Sequence, residues 1–310
     1  MGHRVIGQEV MGFARSQRRG GLDDLDAAID WAPIEARLGR IYASERGERA
    51  WPPLALLKAL VLAQLYDLSD VALSEALDDR ASFRRFCGFS ASEPVPERTA
   101  FVRFRRELVN HRVDRGLLNA VVRQLDAQGL TVRTGTLVDA TIIRAARPDD
   151  RQAGWNVYGK DGAMLGWKAH VATDEGGDIV REVAVTPANV DDASGMLQIL
   201  DRHPGRVWAD KGYDQVKLRR AIARRNGVPR IMRRIWTRSR PHWNAAKRAW
   251  NKGISTVRGK IEKVFGTAKR SYGLDRARYL GRRKMSLQAH LIFIAYNLRR
   301  AVALPPPTAA

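Results

Sequence analysis

The sequence predicts an all-helical N-terminal domain followed by an α/β domain built on a mixed five-stranded sheet with flanking helices. Three observations lead to this fold class. Up to about Gly129, every segment with regular apolar spacing has the period of a helix. From Thr131, apolar runs rich in β-branched residues alternate with shorter helical segments. Two of these runs contain or end on an aspartate, which buried strands avoid unless the acid has a function.

The composition is that of a globular chain with an anionic partner. Its 310 residues can form two domains with a sizeable core. Lys and Arg number 54 against 33 Asp and Glu, a net charge of +21, so we expect a polyanion, most commonly nucleic acid. No apolar run approaches the ~20 residues of a membrane span, and we expect no membrane partner. The single cysteine, Cys87, excludes an internal disulfide and suits a reducing cytoplasm.

The N-terminal part divides into an arm and a helical domain. Residues 1–21 are basic and unpatterned, which predicts a flexible arm. Residues 22–130 are predicted to form the helical domain, with a role in DNA binding or dimerisation. Its most apolar segment, "WPPLALLKALVLAQLYDLSD", has Pro52 and Pro53 at the expected helix start, where a missing N–H is tolerated.

One helix of this domain is rich in arginine. Phe101, Phe104 and Leu108 recur at helical spacing and give it a core face. Its arginines lie elsewhere on the helix: Arg103, Arg105 and Arg106. We predict that they contact DNA, the alternative being a solvated basic face.

The second domain follows a recognisable order of elements. The run "TGTLVDATII" contains Asp139, and "GWKAHVATDEGGDIVREVAVTPAN" has the pattern of a hairpin. A helix, the short strand of "GRVWADKGYD" ending on Asp210, a helix and the strand "VPRIM" come next. A basic loop, residues 233–253, then leads to the helix that carries Glu262. This is the order of an RNase H-like fold, assigned to residues 131–303 with a tail at 304–310.

The helix "VRGKIEKVFGTAKR" has two distinct faces. An apolar stripe is predicted to be buried: Val257, Ile261, Val264 and Ala268. A second face presents one carboxylate, Glu262, among Arg258, Gly266 and Lys269. By itself this helix could be a solvated element with an Arg–Glu pair. The aspartates at the two strand positions favour a site, because strand ends and this helix face converge in the predicted fold.

Three converging carboxylates are suited to phosphodiester chemistry. Mg²⁺ prefers oxygen ligands, and two ions about 4 Å apart can stabilise the attacking and leaving oxygens. We therefore predict that Asp139, Asp210 and Glu262 hold two Mg²⁺ ions, with Mn²⁺ able to substitute. The histidines show no zinc-ligand spacing.

Other residues are candidates for contacts with the substrate. Lys211 follows Asp210 directly, and Lys168 and His170 share one face of a predicted strand. In "RRIWTRSRPHWNAAKRAWNK", Trp236, Trp243 and Trp250 are interleaved with Arg and Lys. Aromatic stacking on unpaired bases and simple packing over the domain are both open interpretations for these tryptophans.

The blocks "VDATII", "WADKGYD" and "VRGKIEKVFGTAKR" resemble the three catalytic blocks of bacterial insertion-sequence DDE transposases, specifically the IS-five family, related to the IS-four group. The segments "GWKAHVATDE…TPANVDDA" and "WPPLALLKALVLAQLYDLSDVALSEALDDRASFRRFCGF…VPERTAFVRFR" resemble the remaining parts of the same transposases. The resemblance extends from about residue 40 to 300.

The resemblance implies that Asp139, Asp210 and Glu262 are the catalytic, metal-binding triad. It also places Arg258 and Lys269 in the signature Tyr-x2-Arg-x3-Glu-x6-Lys, where they would hold DNA phosphates. The chain departs from this signature at its tyrosine, since Ser255 occupies that position.

The function implied is a bacterial, nucleoid-associated cytoplasmic transposase. It would bind terminal inverted repeats, cut the element's ends and join them to target DNA, so its partners would be double-stranded transposon ends and target DNA. Synapsis implies a homodimer. Two alternatives stay open, namely a catalytically inactive sequence-specific DNA-binding protein derived from a transposase and a stand-alone RNase H-like nuclease.

Overall fold

The computed structural model describes the following parts of the chain: residues 3–7, 21–41, 49–157, 162–176, 179–236 and 241–305. They form two compact units. The first contains the described residues up to 128, residues 271–273 and those from 290 onward, and the second contains residues 129–270 and 274–289. The sequence-based division assigned residues 131–303 to the catalytic domain, whereas residues 290–303 belong to the first unit here. Most of the predicted arm and tail lie outside the described residues.

The first unit is helical. Its helices are α1 (Leu22–Ala27), α2 (Ala32–Leu38), α3 (Pro53–Leu65), α4 (Asp70–Asp79), α5 (Ala81–Cys87), α6 (Arg98–His111) and α7 (Asp114–Ala127). Helix α3 begins at Pro53 as predicted, and all but one of its side chains are buried, as expected for a helix that is apolar all round. The Ser69 hydroxyl caps α4 by accepting a hydrogen bond from the Ala72 N–H at 3.1 Å.

The second unit is built on a six-stranded sheet. Its strands are β1 (Gly135–Arg144), β2 (Gly154–Asn156), β3 (Met164–Asp174), β4 (Val180–Pro187), β5 (Arg206–Ala209) and β6 (Val228–Ile231). The path through the sheet is β2-β3-β1-β5-β6, with β4 paired to β3. Strands β1, β3 and β4 are antiparallel, whereas β1, β5 and β6 are parallel. The five predicted strands have the RNase H-like order, and the three-residue β2 is an addition that the sequence did not predict.

The remaining helices are α8 (Asp192–Ile199), α9 (Val216–Ala223), α10 (Pro241–Tyr272) and α11 (Arg282–Ala303). The first two and nearly all of α10 belong to the second unit, whereas α11 begins in the second unit and from residue 290 belongs to the first. The predicted basic loop at 233–253 is wrong over its second half, because α10 already begins at Pro241 and runs for 32 residues. The indole N–H of Trp250 donates to the Ile231 carbonyl at 3.0 Å, and Ile254 is buried. The Trp250 contact fixes the third turn of α10 against the end of β6.

The register of β1 and β3 decides which side chains share a face of the sheet. Ala140 pairs with His170 and Ile142 with Lys168, whereas Asp139 pairs with Val171. Because side chains alternate along a strand, Lys168 and His170 point to the face opposite Asp139. A Cβ at Gly195 of α8 would meet the His170 ring, so α8 covers that face. Asp139 instead faces α10.

Candidate active site

Asp139 lies in the middle of β1 and is held by an arginine from α10. The Arg258 Nη2 atom donates to Asp139 Oδ2 at 2.6 Å, and the two side chains are 18% and 16% exposed. Burial is the main cause that raises the pKa of Asp139, and the charge of Asp210 adds to it, although Arg258 acts in the opposite direction. The ionised carboxylate is therefore costly at this position.

Asp210 follows β5 directly. Its Oδ1 atom accepts a hydrogen bond from the Gly212 N–H at 2.7 Å, so the carboxylate caps a single 3₁₀ turn, Lys211–Tyr213. Strands β1 and β5 are parallel neighbours that pair up to Leu137 and Trp208. Two residues beyond that last pair, Asp139 and Asp210 face each other where the strands separate, and they are close enough to interact electrostatically.

Glu262 is presented by the face of α10 that also carries Arg258. The Arg258 Nη1 atom lies 3.6 Å from Glu262 Oε1, and the glutamate side chain is 65% exposed. Ile261, Val264 and Ala268 of the predicted apolar stripe are buried and orient the helix, whereas Val257, the first residue of that stripe, is only half-buried. Although burial lowers it, the charges of Asp139, Asp210 and Glu262 together raise the pKa of Arg258 above its ordinary value. All three predicted acids thus act on one guanidinium.

The donor set has the chemistry that a divalent cation needs, since Mg²⁺ prefers carboxylate oxygens. The guanidinium of Arg258 interacts electrostatically with all three acids, so their combined negative charge stabilises a cation at this position. In the described ranges, no three acidic, histidine or cysteine side chains are close enough to enclose one metal ion. The three carboxylates fit a metal ion in ligand type, and Arg258, which pairs with Asp139, would have to release that carboxylate before all three could bind one ion.

The structure adds an acidic residue that the sequence analysis missed. Asp192, in the first turn of α8, lies with its Oδ1 atom 2.8 Å from Lys168 Nζ, and the same ammonium donates to the Val190 carbonyl at 2.8 Å. The predicted DNA contact of Lys168 is therefore an ion pair inside the protein in this structure. The strand register and the acidic start of α8 were visible in the sequence, but the pairing across them was not.

His170 has no exposed surface. Its Nε2 atom lies 2.8 Å from the Thr186 hydroxyl, and burial lowers the pKa of His170 to about 4, so the ring is neutral near pH 7. The predicted DNA contact does not fit this residue, because an enclosed side chain cannot reach a bound duplex.

The other predicted DNA contacts near the acids are accessible to different extents. Lys211 is exposed beside Asp210. Lys269 is half-buried and lines a cleft of ≈ 230 Å³ together with Arg144 and Asp275. Burial lowers the pKa of Lys269, and Arg144 acts in the same direction, whereas Asp275 opposes it. Ser255, at the signature's tyrosine position, is exposed, and its hydroxyl donates to the Lys252 carbonyl at 3.1 Å.

The arginines of α6 separate into two kinds. Arg103 and Arg106 are exposed, and Arg103 lines a cleft of ≈ 420 Å³ that Arg4 and Arg49 also line. Arg105 is buried and forms a two-point ion pair with Asp70, whose Oδ1 atom lies 2.8 Å from Arg105 Nη1. The prediction of a DNA contact fits the first two residues and does not fit Arg105.

In this six-stranded sheet, β2, β3 and β4 pair antiparallel and β5 and β6 continue parallel to β1. This sheet, with carboxylates on β1, directly after β5 and on α10, defines the class of RNase H-like polynucleotidyl transferases. None of the described helices has the length and apolar character needed to cross a membrane.

Comparison with known families agrees with this class. Residues 130–298, more than half of the chain, match the family described as transposase DDE domain, and residues 14–107 match the transposase domain (DUF772). The chain belongs to the transposase DDE domain family. It is a DNA transposase of the insertion-sequence type, as the sequence blocks predicted, and neither alternative is favoured. Membership of the IS-five group stays a prediction.

One solved structure with partial similarity is the "Cryo-EM structure of piggyBac transposase synaptic complex with hairpin DNA (SNHP)". The two chains are 12% identical, with a TM-score of 0.47, over 91% of this chain and 72% of that chain.

Proposed function

We propose that this transposase binds the terminal inverted repeats of its own element, cuts the ends by metal-assisted hydrolysis and joins the 3′-hydroxyls to target DNA. The observation that carries the proposal is that one guanidinium, Arg258, lies 2.6 Å from Asp139 and 3.6 Å from Glu262 and is also within electrostatic range of Asp210. Carboxylates from a strand, a strand end and a helix are brought together there, and only a cationic centre compensates their mutual repulsion.

Enzymes of this family use divalent metal ions, and we propose two Mg²⁺ ions held by the three acids, with Mn²⁺ as a substitute. When bound, such ions stabilise the charge on the attacking and leaving oxygens of the phosphodiester. The desolvated Asp139 and the backbone-anchored Asp210 would be the fixed ligands. Exposed Glu262 would complete the set by a change of rotamer. Water and a 3′-hydroxyl can use the same site, because both attack phosphorus in line.

Basic side chains of both units would bind the DNA backbone. We assign the backbone-phosphate contacts to exposed Lys211, Arg103 and Arg106, to half-buried Lys269, and to Arg258 once it has released Asp139. The net charge of +21 supports a large electrostatic component of binding. We further propose a homodimer when two ends are paired, and a location in the bacterial cytoplasm at the nucleoid.

The test uses the full chain, a linear donor that carries the DNA flanking the reading frame, and a supercoiled target. Wild type and Asp139→Asn are compared in Mg²⁺, in Mn²⁺ and in EDTA. Asp149→Asn is the matched control, because Asp149 is 61% exposed and pairs only locally with Arg147 at 2.7 Å. We expect cleaved and joined products in both metals, none in EDTA, and none with Asp139→Asn although it still binds DNA.

Two other results would redirect the proposal. Binding without cleavage in either metal would leave a DNA-binding protein and reject catalysis. Cleaved ends without joined products would favour the stand-alone nuclease.

A further inference from the structure

Tyr213 lies in the core directly beneath the acidic site. It is the third residue after Asp210, and its N–H donates to the Asp210 carbonyl at 3.1 Å. Its side chain is 1% exposed and packs in the cluster that contains Val138, Ala193 and Leu218. The ring is therefore fixed by β1, α8 and α9.

The hydroxyl of Tyr213 is unusual for a buried phenol. Among the described residues it has no hydrogen-bond partner. A buried hydroxyl is normally paired, because its desolvation is otherwise uncompensated. Burial raises the pKa of Tyr213 well above its ordinary value, and the negative charges of Asp139, Asp192 and Asp210 raise it further. The group thus keeps its proton and is a hydrogen-bond donor within electrostatic range of three carboxylates.

Asp192 is held beside Asp210 by fixed contacts. Lys168 neutralises one of its oxygens at 2.8 Å. A Cβ placed on Gly212 would lie 3.6 Å from Asp192 Oδ2 and 4.0 Å from Asp210 Oδ1, so both carboxylates border this glycine. Asp192 therefore adds to the negative charge near Tyr213. The group of acidic side chains includes this residue of α8 as well as the predicted triad.

We propose that Tyr213 is a positioning residue of the catalytic site, whose hydroxyl donates a hydrogen bond to an oxygen of the metal-loaded site, either a carboxylate oxygen or a bound water. This inference rests on the proposed metal-dependent function. In the structure, Arg258 holds Asp139 and the Gly212 N–H holds Asp210. A carboxylate or water oriented by a bound metal ion would supply the acceptor that no described residue offers to the Tyr213 hydroxyl.

A tyrosine with a purely structural role would behave in the opposite way. Its ring would fill the core, and its unpaired hydroxyl would contribute nothing to metal binding. Removal of that hydroxyl would then leave the metal affinity unchanged and raise the thermal stability, since an unsatisfied buried polar group is lost. Tyr213→Phe keeps the ring and therefore separates the two roles.

The experiment titrates Mn²⁺ into the metal-free full chain and follows binding by electron paramagnetic resonance. Wild type is compared with Tyr213→Phe and with the control Tyr272→Phe, which removes a buried phenol at the end of α10, where the Tyr272 phenol bonds to Arg299. We expect Tyr213→Phe to weaken Mn²⁺ binding roughly three- to tenfold, the size of one hydrogen bond, without loss of thermal stability. We expect no change in Mn²⁺ binding for Tyr272→Phe.

A second readout covers the reaction. In end cleavage, Tyr213→Phe should raise the Mg²⁺ concentration for half-maximal rate by a similar factor and leave the rate at saturating Mg²⁺ within about twofold. Wild-type Mn²⁺ affinity and an unchanged Mg²⁺ requirement in Tyr213→Phe would overturn the inference. Failure of wild type to bind Mn²⁺, or equal binding by Asp139→Asn, would instead reject the proposed metal site itself.

Discussion

The Arg258 guanidinium donates to the Asp139 carboxylate at 2.6 Å, and this contact joins α10 to the middle of β1. Both side chains are largely enclosed, so loss of either partner would leave a buried charge without compensation. The signature motif implied that this arginine holds DNA phosphates. In the described conformation it instead compensates the charge of the acids, and the protein supplies its own cation to the site.

Substitution of Arg258 by Gln should affect stability and metal binding in opposite directions. The change leaves Asp139 buried without its partner, so we expect the free energy of unfolding to fall by about 2 kcal/mol. This is less than for a fully buried ion pair, because both side chains are partly exposed. Mn²⁺ should bind several-fold more tightly, because no internal cation competes for Asp139. Denaturant unfolding and Mn²⁺ titration measure the two effects. An unchanged Mn²⁺ affinity would show that Arg258 does not occupy the metal's position.

The raised pKa of Asp139 predicts how stability depends on pH. Because the pKa of the folded state lies above the ordinary 3.8, the ionised carboxylate disfavours folding at neutral pH. This cost disappears as the pH falls through the folded-state pKa toward 3.8, where the folded protein takes up the proton first. Asp139→Asn in EDTA should therefore be at least as stable as wild type at pH 7, with an advantage that shrinks toward pH 4.

Thermal unfolding across that pH range measures the difference between the two proteins. The reverse pattern, with Asp139→Asn clearly less stable at pH 7, would mean that the ion pair with Arg258 outweighs the cost of burial.

The arginines of α6 should separate into structural and DNA-binding residues. Arg105→Ala breaks the buried pair with Asp70 and should cost about 2–4 kcal/mol in the free energy of unfolding. Arg103→Ala removes an exposed side chain and should change that free energy by less than about 0.5 kcal/mol.

DNA binding should be impaired in Arg103→Ala, the variant of nearly unchanged stability, and should keep its wild-type salt dependence in the destabilised Arg105→Ala. Arg103→Ala should weaken binding and reduce the salt dependence of the binding constant by about one unit of slope. Folded Arg105→Ala should bind DNA with the wild-type salt dependence. Fluorescence anisotropy at several salt concentrations measures both, and a reduced slope for Arg105→Ala would contradict its structural assignment.

The close contact between α8 and β3 predicts a specific packing defect. A Cβ at Gly195 would lie 2.1 Å from two atoms of the enclosed His170 ring, so Gly195→Ala should cost about 1–3 kcal/mol in stability. Gly253→Ala is the matched control, since no atom lies within 4 Å of its Cβ position, and it should stabilise α10 by up to about 1 kcal/mol.

Thermal unfolding of the two variants should therefore give melting temperatures on opposite sides of wild type. The double variant His170→Ala, Gly195→Ala should recover part of the loss relative to His170→Ala alone. Independent, additive effects would show that the two residues do not compete for space.

Much of the fold could be read from local patterns. The change of apolar period near Thr131 separates helices from strands because side-chain direction repeats every 3.6 residues in one and every two in the other. The order of those elements identified the RNase H-like sheet. It also placed Asp139 within the first strand and Asp210 at the end of a later one, where the structure has them. The short β2 was missed because three residues are too few to show an alternating pattern. The early start of α10 was missed because its first half has no clear apolar stripe and is held by contacts with another element, such as that of Trp250 with Ile231.

The sequence by itself therefore determined the class of protein and the order of its main strands and helices, since both follow from residue type and spacing. That Asp139, Asp210 and Glu262 form one metal site stays a prediction. Only the tertiary structure decided which partner each charged side chain has. Arg105 forms an ion pair with Asp70, Lys168 with Asp192 and Arg258 with Asp139. The physical reason is that ion pairs and burial depend on distances across elements, which neither periodicity nor net charge contains.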